Sequence, residues 1–369
     1  MRDGSFAMVG PLQDILVLET AGVLAGPAVG MCFAELGARV VKIERPAVNG
    51  PGGDVTRQWK LPSEDPASPV SAYFSSVNWG KEHLSLDLKD ADDRVRFDKL
   101  VSQADVLITN HLAGDAEKLG LIRERLRALN PRLVHGHIKG FAAQPDRPAF
   151  DVVLQAETGY ISMTGSDAEH VAKVPIALID VLAAHQLKEG VLLALLQRER
   201  SGKGAYVEVS LEGAALSGLI NQASNYLMAG AVAGPIGTLH PNIAPYGEIF
   251  SCADGGRIIL AVGSDAQFKA LCITLGCLDL LTDVRFASNT ERVRHRVILA
   301  ELLAPAIVAR QRHELLDALI ASGVPAGAVL RMDEVMATPA ARAMTLGSMI
   351  DGLPTRRISG NAFRIFPNG

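Results

Sequence analysis

A strand–helix–strand pattern near the start of the chain limits its fold more than any other feature. Asp14–Glu19 (DILVLE) is a short, almost continuous apolar run, which reads as a strand buried in a sheet. Gly26–Leu36 is Ala-rich and helical after a glycine-containing turn, and Arg39–Glu44 (RVVKIE) is a second strand stopped by Arg45-Pro46. A strand, a helix and a strand in that order make a right-handed crossover, so the chain opens a parallel α/β sheet.

The alternation continues. Leu84–Leu88, Asp105–Thr109, Leu133–Ile138 and Tyr206–Ser210 read as further strands, and Asp90 as the N-cap of a helix to about Gln103. A Gly-, Pro- and Ser-rich loop covers Ala47–Ser71. Asp151–Gly165 turns helical, and Val181–Arg200 is a long helix. Its basic end before Gly202 suits the negative pole of the helix dipole. Leu211–Met228 reads as one helix, followed by a Gly/Ala/Pro linker at Gly230–Gly237. Beyond it Tyr246–Ser251 and Arg257–Val262 pair across Ala253-Asp-Gly-Gly256, helices run to about Ser322, and Ala326–Leu330 is a strand. The 369 residues suit about two domains. Met1–Gly10 reads as a lead-in without the apolar segment of a secretory signal, with Met8 as an alternative start.

Composition removes several functions. Lys+Arg 36 against Asp+Glu 40, with 5% aromatic residues, gives neither a basic field nor a stacking platform, so nucleic acid is not an expected partner. No apolar run approaches the ~18–20 residues of a membrane span. Cys32, Cys252, Cys272 and Cys277 are too scattered for a disulfide scaffold and lack a matching zinc pair, which suits reduced thiols in a cytoplasmic protein. His135 and His137 share one face of a strand without further metal-ligand spacing. The first β–α turn, Glu19–Pro27, could present helix-start N–H groups to an anion, but it lacks the GxGxxG of a nicotinamide site. Asp180 lies between Val174–Ile179, an apolar segment expected to be buried, and the long helix. Two readings of it stand: a plain N-cap, or a positioned carboxylate able to attack an activated acyl group.

Several stretches in a fixed order resemble the class III CoA-transferases, the family of formyl-CoA transferase, carnitine CoA-transferase and α-methylacyl-CoA racemase. They are Val23-Leu-Ala-Gly-Pro27, Val41-Lys-Ile-Glu-Arg-Pro46, Gly53-Asp-Val-Thr-Arg57, Asn130-Pro-Arg-Leu133 and Ile138-Lys-Gly-Phe141. Phe150-Asp151 with Gln155-Ala-Glu-Thr-Gly159, Met163-Thr-Gly165, Ile179-Asp180 and Glu199-Arg-Ser-Gly-Lys-Gly204 follow. His240-Pro-Asn242 and Ala253-Asp-Gly255 complete the set, and the resemblance runs from about Pro11 to about Met344.

The resemblance implies an α/β fold with a large Rossmann-like parallel-sheet domain, residues 11–229 with 331–369, and a smaller α+β domain, 230–330. It also implies a homodimer of two interlocked rings. The implied activity moves CoA from an acyl-CoA to a free small carboxylic acid. Gln155-Ala-Glu157 and His240-Pro-Asn242 look closest to dicarboxylate-handling members. Asp180 takes the place of the family's nucleophile, which forms a mixed anhydride and then an aspartyl-CoA thioester. CoA contacts are implied at Val23, Ala25, Arg45, Val77, Asn78, Asn110, His111, Lys118, Leu119 and Arg147. Coenzyme A and acyl-CoA enter as substrates, with no metal and no nicotinamide implied. The sequence departs from the family at Phe150, where the racemases carry a basic His, and at Leu112, where an Arg is usual. Glu82 replaces the second base of the pair at Lys81, and the glycine-rich lid of formyl-CoA transferase is not visible. A 2-methylacyl-CoA racemase or epimerase and a non-catalytic CoA-binding homologue are the alternatives.

Overall fold

The computed structural model describes residues 10–47 and 52–366, so Met1–Val9 of the lead-in and residues 48–51 of the loop lie outside the described residues. The chain divides into two compact units. One holds the chain up to Tyr160, then Lys173–Val232 and the chain from Ala343 onward; the other holds Ile161–Ala172 and Ala233–Arg342.

The first unit opens with β1 (Leu16–Glu19), α1 (Ala25–Glu35), β2 (Arg39–Glu44), α2 (Ala72–Ser75), β3 (Lys81–Ser85), α3 (Ala91–Val101) and β4 (Val106–Thr109). It continues through α4 (Ala113–Lys118), α5 (Arg123–Leu129), β5 (Val134–Lys139), α6 (Asp151–Glu157), α7 (Tyr160–Met163, all but its first residue in the second unit), α8 (Leu178–Ser201), β6 (Ala205–Ser210), α9 (Leu211–Gly218) and α10 (Ile220–Ala229). Six parallel strands form one sheet in the order β3-β2-β1-β4-β5-β6. In that doubly wound order the chain reverses direction across the sheet between β1 and β4, which opens a crevice at the carboxyl ends of those strands. Val17, Val106, Ile108, Val134 and Ile138 pack with α1, α8 and α9 on one face. Leu18, Val41 and Leu107 pack with Phe97, Val101 and Leu126 of α3 and α5 on the other. Burial on both faces explains why these strands read as apolar runs rather than alternating ones.

Near the chain end, β10 (Thr345–Ile350) and β11 (Leu353–Ile358) form an antiparallel hairpin of the first unit. Its turn residue Asp351 bonds Arg57 Nη1 at 2.7 Å and His83 Nδ1 at 3.1 Å. The second unit is built on an antiparallel sheet of β7 (Tyr246–Ser251), β8 (Arg257–Ala261) and β9 (Ala326–Ala328). Helices α11 (Asp265–Leu275), α13 (Arg296–Val308) and α14 (Arg312–Ala321) cover it around Phe268, Leu271, Leu303 and Leu315; α12 spans Asn289–Arg294. The four cysteines are free thiols. No helix among the described residues is long and apolar enough to cross a membrane.

Several elements differ from the sequence reading, among them one strand and one helix of the first unit. The third strand is Lys81–Ser85 rather than Leu84–Leu88, because Lys81 pairs with Val40 in the ladder; Leu86 and Leu88 fill the core just beyond it. Polar residues hide such a strand from an apolar-run reading. The helix expected over Leu211–Met228 is two helices, broken where Ile220 takes φ +37°. Gly218, a weak helix former, stands at the break, but a single glycine in a helical pattern does not by itself end a helix.

Close packing of α1 on β1 depends on one glycine. A Cβ at Gly30 would stand 2.0 Å from Glu19 Oε2, an oxygen held by Lys81. Gly30→Ala is therefore expected to destabilise the protein by about 1–3 kcal/mol, the usual cost of overpacking, read as a lower urea midpoint at unchanged slope.

Candidate active site

Four buried charges lie beneath the first β–α turn. Lys42 Nζ bonds Glu19 Oε1 at 3.0 Å, Asp54 Oδ2 at 3.1 Å and the Ala21 carbonyl at 2.7 Å. Lys81 Nζ bonds both Glu19 oxygens at 2.8 and 2.9 Å, the Pro27 carbonyl and Asn78 Oδ1. Two cations against two carboxylates leave the group neutral, and each has several partners, which is the condition for keeping charges buried. Burial opposes the charge on Lys42, but Glu19, Asp54 and Glu44 outweigh it and hold its pKa above the ordinary lysine value. Lys81, fully enclosed and beside Lys42, is pulled down to about 8 despite Glu19.

This group shapes the turn. Asp54 accepts from the Val23 N–H at 3.1 Å, and Val23 takes φ +70°, a left-handed conformation that a β-branched residue adopts only when it is held there. On the other side Asn110 forms a reciprocal pair with Gly22: Oδ1 accepts from its N–H and Nδ2 donates to its carbonyl. His111 Nε2 lies 3.1 Å from Thr20 Oγ1, and burial lowers its pKa.

Above the turn lies a cleft of about 770 Å³ at the carboxyl ends of β1, β2 and β4, where the strand order reverses. That volume is in the range of small-molecule sites, ~300–1,000 Å³. Of the ten residues implied as CoA contacts, Val23, Arg45, Asn110, His111, Lys118 and Leu119 line it. Ala25, Val77, Asn78 and Arg147 do not. Ala25 starts α1, Val77 is core, and Asn78 is enclosed with its amide on the Phe74 carbonyl. Arg147 stacks over Phe141 and pairs with Glu157. Leu112 and Phe150, two of the departures from the family, also line the cleft, whereas Glu82 is bound to Arg39 on the surface.

Asp180 is neither an N-cap nor ahead of its helix. Helix α8 starts at Leu178, so Asp180 is its third residue, and the cap position falls to Ala177, which offers no side-chain acceptor. The preceding segment is also less buried than expected, with Ile176 57% exposed. The helix end is instead served from α6: Asp151 Oδ1 accepts from the Ile179 N–H at 2.6 Å and, at 3.4 Å, from that of Asp180. Asp151 Oδ2 accepts from Gln155 Nε2 at 2.6 Å, and Gln155 Oε1 accepts from the Val174 N–H at 2.8 Å. Asp180 is 8% exposed and its carboxylate has no hydrogen-bond partner among the described residues. Burial, and after it the charge of Asp151, push its pKa up to about 7. Nearby Tyr73 rises to about 12 through burial and the carboxylates of Asp180, Asp151 and Asp54. His135 and His137 share the Thr109 hydroxyl at 2.9 and 2.8 Å, and burial lowers them to about 3 and 4, so they act as neutral polar packing.

Comparison with known families matches residues 12–363 to CoA-transferase family III. The chain belongs to that family. It is 35% identical to the succinate–glutarate CoA-transferase of Agrobacterium fabrum, covering 94% of this chain and 88% of the relative. It is also 35% identical to the acetyl-CoA:oxalate CoA-transferase of Acetobacter aceti, covering 95% and 90%. Among solved structures, a CaiB/BaiF family protein from Brucella suis superimposes with a TM-score of 0.84 at 34% identity, covering 96% of this chain and 92% of that one.

This chain is thus a family III CoA-transferase, an enzyme whose substrate is CoA in thioester form. The sequence reading of this transferase gave no role in the site to Asp151, Asp54 and Tyr73, and took Gln155 only as part of the Gln155-Ala-Glu157 stretch. Three of them stand inside or beside stretches quoted for the resemblance, which is the only signal that could have drawn notice to them. Tyr73 carries none.

Proposed function

We propose that this transferase moves CoA between an acyl-CoA and a small dicarboxylate, with Asp180 as the covalent carrier. The observation that carries the reading is a buried carboxylate, without a hydrogen-bond partner among the described residues, in the first turn of α8. A desolvated, basic carboxylate is a competent nucleophile toward a thioester carbonyl. Attack of an Asp180 oxygen forms the new C–O bond and breaks the C–S bond, and the thiolate leaves with the electron pair. Return of the thiolate to the Asp180 carbonyl releases the first acid as a carboxylate and leaves an aspartyl-CoA thioester. The acceptor carboxylate then runs both steps in reverse. Each step exchanges one activated acyl bond for another, so no outside energy source is needed.

In this reading the cleft above the Thr20–Val23 turn holds the CoA nucleotide, with Arg45 and Lys118 as cations for its phosphates. The curated relatives named for succinate, glutarate and oxalate support a dicarboxylate as the acceptor. Phe150 cannot carry a proton, which sets the racemase alternative behind the transferase. The working form is read as an interlocked cytoplasmic homodimer.

The test is intact-mass analysis after incubation with succinyl-, glutaryl- and acetyl-CoA, with and without borohydride, on wild type and Asp180→Ala. The expected result is an adduct that maps to Asp180 and vanishes in the variant. Tight CoA binding with no adduct from any donor would reject Asp180 as the carrier.

A further inference from the structure

We propose that Asp151 is the positioning residue for Asp180: it takes the helix-terminal N–H groups that Asp180 would otherwise bind, leaving that carboxylate oriented but unpartnered. The inference rests on the reading of Asp180 as nucleophile, and it adds a residue whose role no likeness to other proteins assigns.

An aspartate third in a helix usually has donors at hand, because the first N–H groups of the helix lack partners within it. Here those of Ile179 and Asp180 point at Asp151 Oδ1. The capping carboxylate is itself fixed: Gln155, one turn on, donates to Asp151 Oδ2 and clamps the Val174 N–H ahead of α8. Donation from Gln155 Nε2 to the Val174 and Ile176 carbonyls, at 3.3 and 3.4 Å, completes the clamp. Residues 174–180 are thereby tied to α6 through one acid and one amide. Two carboxylates compete for one helix end, and the hydrogen bonds go to the one that is not meant to react.

The arrangement has a chemical consequence. Free Asp180 is an anion beside the anion of Asp151, whereas acylated Asp180 is neutral. Acyl transfer to Asp180 moves its charge onto the departing CoA thiolate and relieves the repulsion from Asp151. Asp151 thus raises the basicity of the nucleophile and favours the covalent enzyme over the free one.

The titratable groups around Asp180 are few. Asp151 acts from α6, and Tyr73, neutral at physiological pH, faces it from α2. α1 carries no acid in its first turn and places Glu35 at its far end, bound to Arg357 and Ser359. Glu212 of α9 is bound to the Ala142 N–H.

The experiment titrates the Asp180 carboxyl by NMR of protein labelled with carboxyl-13C aspartate, assigned with Asp180→Asn, in wild type, Asp151→Asn and Asp151→Ser. Asparagine and serine are both neutral and both cap helices, so one of them suffices if the other misfolds. The expected result is an Asp180 midpoint lower by about one pH unit in either variant, with the adduct-to-free ratio under saturating acyl-CoA falling about tenfold. A merely structural role would lower the melting temperature and leave the midpoint in place. An unchanged midpoint in a folded variant overturns the proposal. If wild type forms no adduct, the nucleophile reading fails, and the midpoint alone decides whether Asp151 sets the charge of Asp180.

Discussion

Asp180→Asn is expected to abolish CoA transfer and, above neutral pH, to make the protein more stable than wild type. Removal of a covalent nucleophile costs several orders of magnitude in turnover, ~10⁴-fold or more. The stability gain follows from linkage. The folded-state pKa of Asp180, about 7, lies above the unfolded value, so between the two the folded protein binds the extra proton. The folded state then loses stability as pH rises from about 4 to about 7, and the ionised group imposes its whole cost above that. A carboxyl raised across that interval costs roughly 4 kcal/mol at most, because solvent reaching the partly open carboxylate reduces the penalty. The amide carries no charge and escapes that cost. Melting curves of both proteins from pH 4 to 9 check this: the traces should coincide near pH 4 and separate by several degrees at pH 8, with the variant higher. Equal stability at pH 8 would mean that Asp180 is not desolvated in the folded protein. Such a gain on loss of a reactive group is the usual mark of a site kept at a cost to the fold.

Lys42→Met carries the largest expected loss of stability. Lys42 is the one cation among the described residues that touches both Glu19 and Asp54, and all three side chains are buried. Methionine fills the space of the stem but leaves Asp54 without a cationic partner. Breaking a buried ion pair from one side costs about 3–5 kcal/mol, since the remaining charge is stranded. Arg39→Met is the control, because it breaks a pair with Glu82 whose two side chains are more than half exposed. Surface pairs of that kind are worth about 0–1 kcal/mol. Urea unfolding of the two variants should therefore separate them clearly. The Lys42 variant should also bind acyl-CoA more weakly, because Asp54 holds the Val23 N–H and with it the floor of the cleft. Comparable midpoints for the two variants would refute the importance of the buried group.

Much of the sheet was legible because parallel strands buried on both faces leave short, β-branched apolar runs bounded by turn residues. Arg39–Glu44 is found with the expected bounds, as is Tyr246–Ser251 of the antiparallel sheet, and Asp90 caps α3 through the N–H groups of Asp92 and Asp93. Elements whose reason lies in a partner were not legible. Lys81-Glu82-His83 has no strand signature of its own and is a strand because β2 lies beside it. The hairpin of β10 and β11 was likewise not read as strands. Its turn is held by Arg57 and His83, which lie more than 260 residues away in the chain.

The active site divides in the same way. The sequence by itself determined the order of strands and helices, the helix that carries Asp180 and the glycine-containing turn at the head of α1, because these rest on local periodicity and on residue types a few positions apart. Only the tertiary structure decided that Asp180 sits within the first turn rather than capping it, that Asp151 takes its helix-end donors, and that Lys42 and Lys81 neutralise Glu19 and Asp54 beneath the cleft. The physical reason is that desolvation and pairing of charges depend on distances in space. Those distances are set by how α6, α8 and the strands pack, and a carboxylate has the same letter whether it caps a helix, neutralises a lysine or waits unpartnered for a thioester.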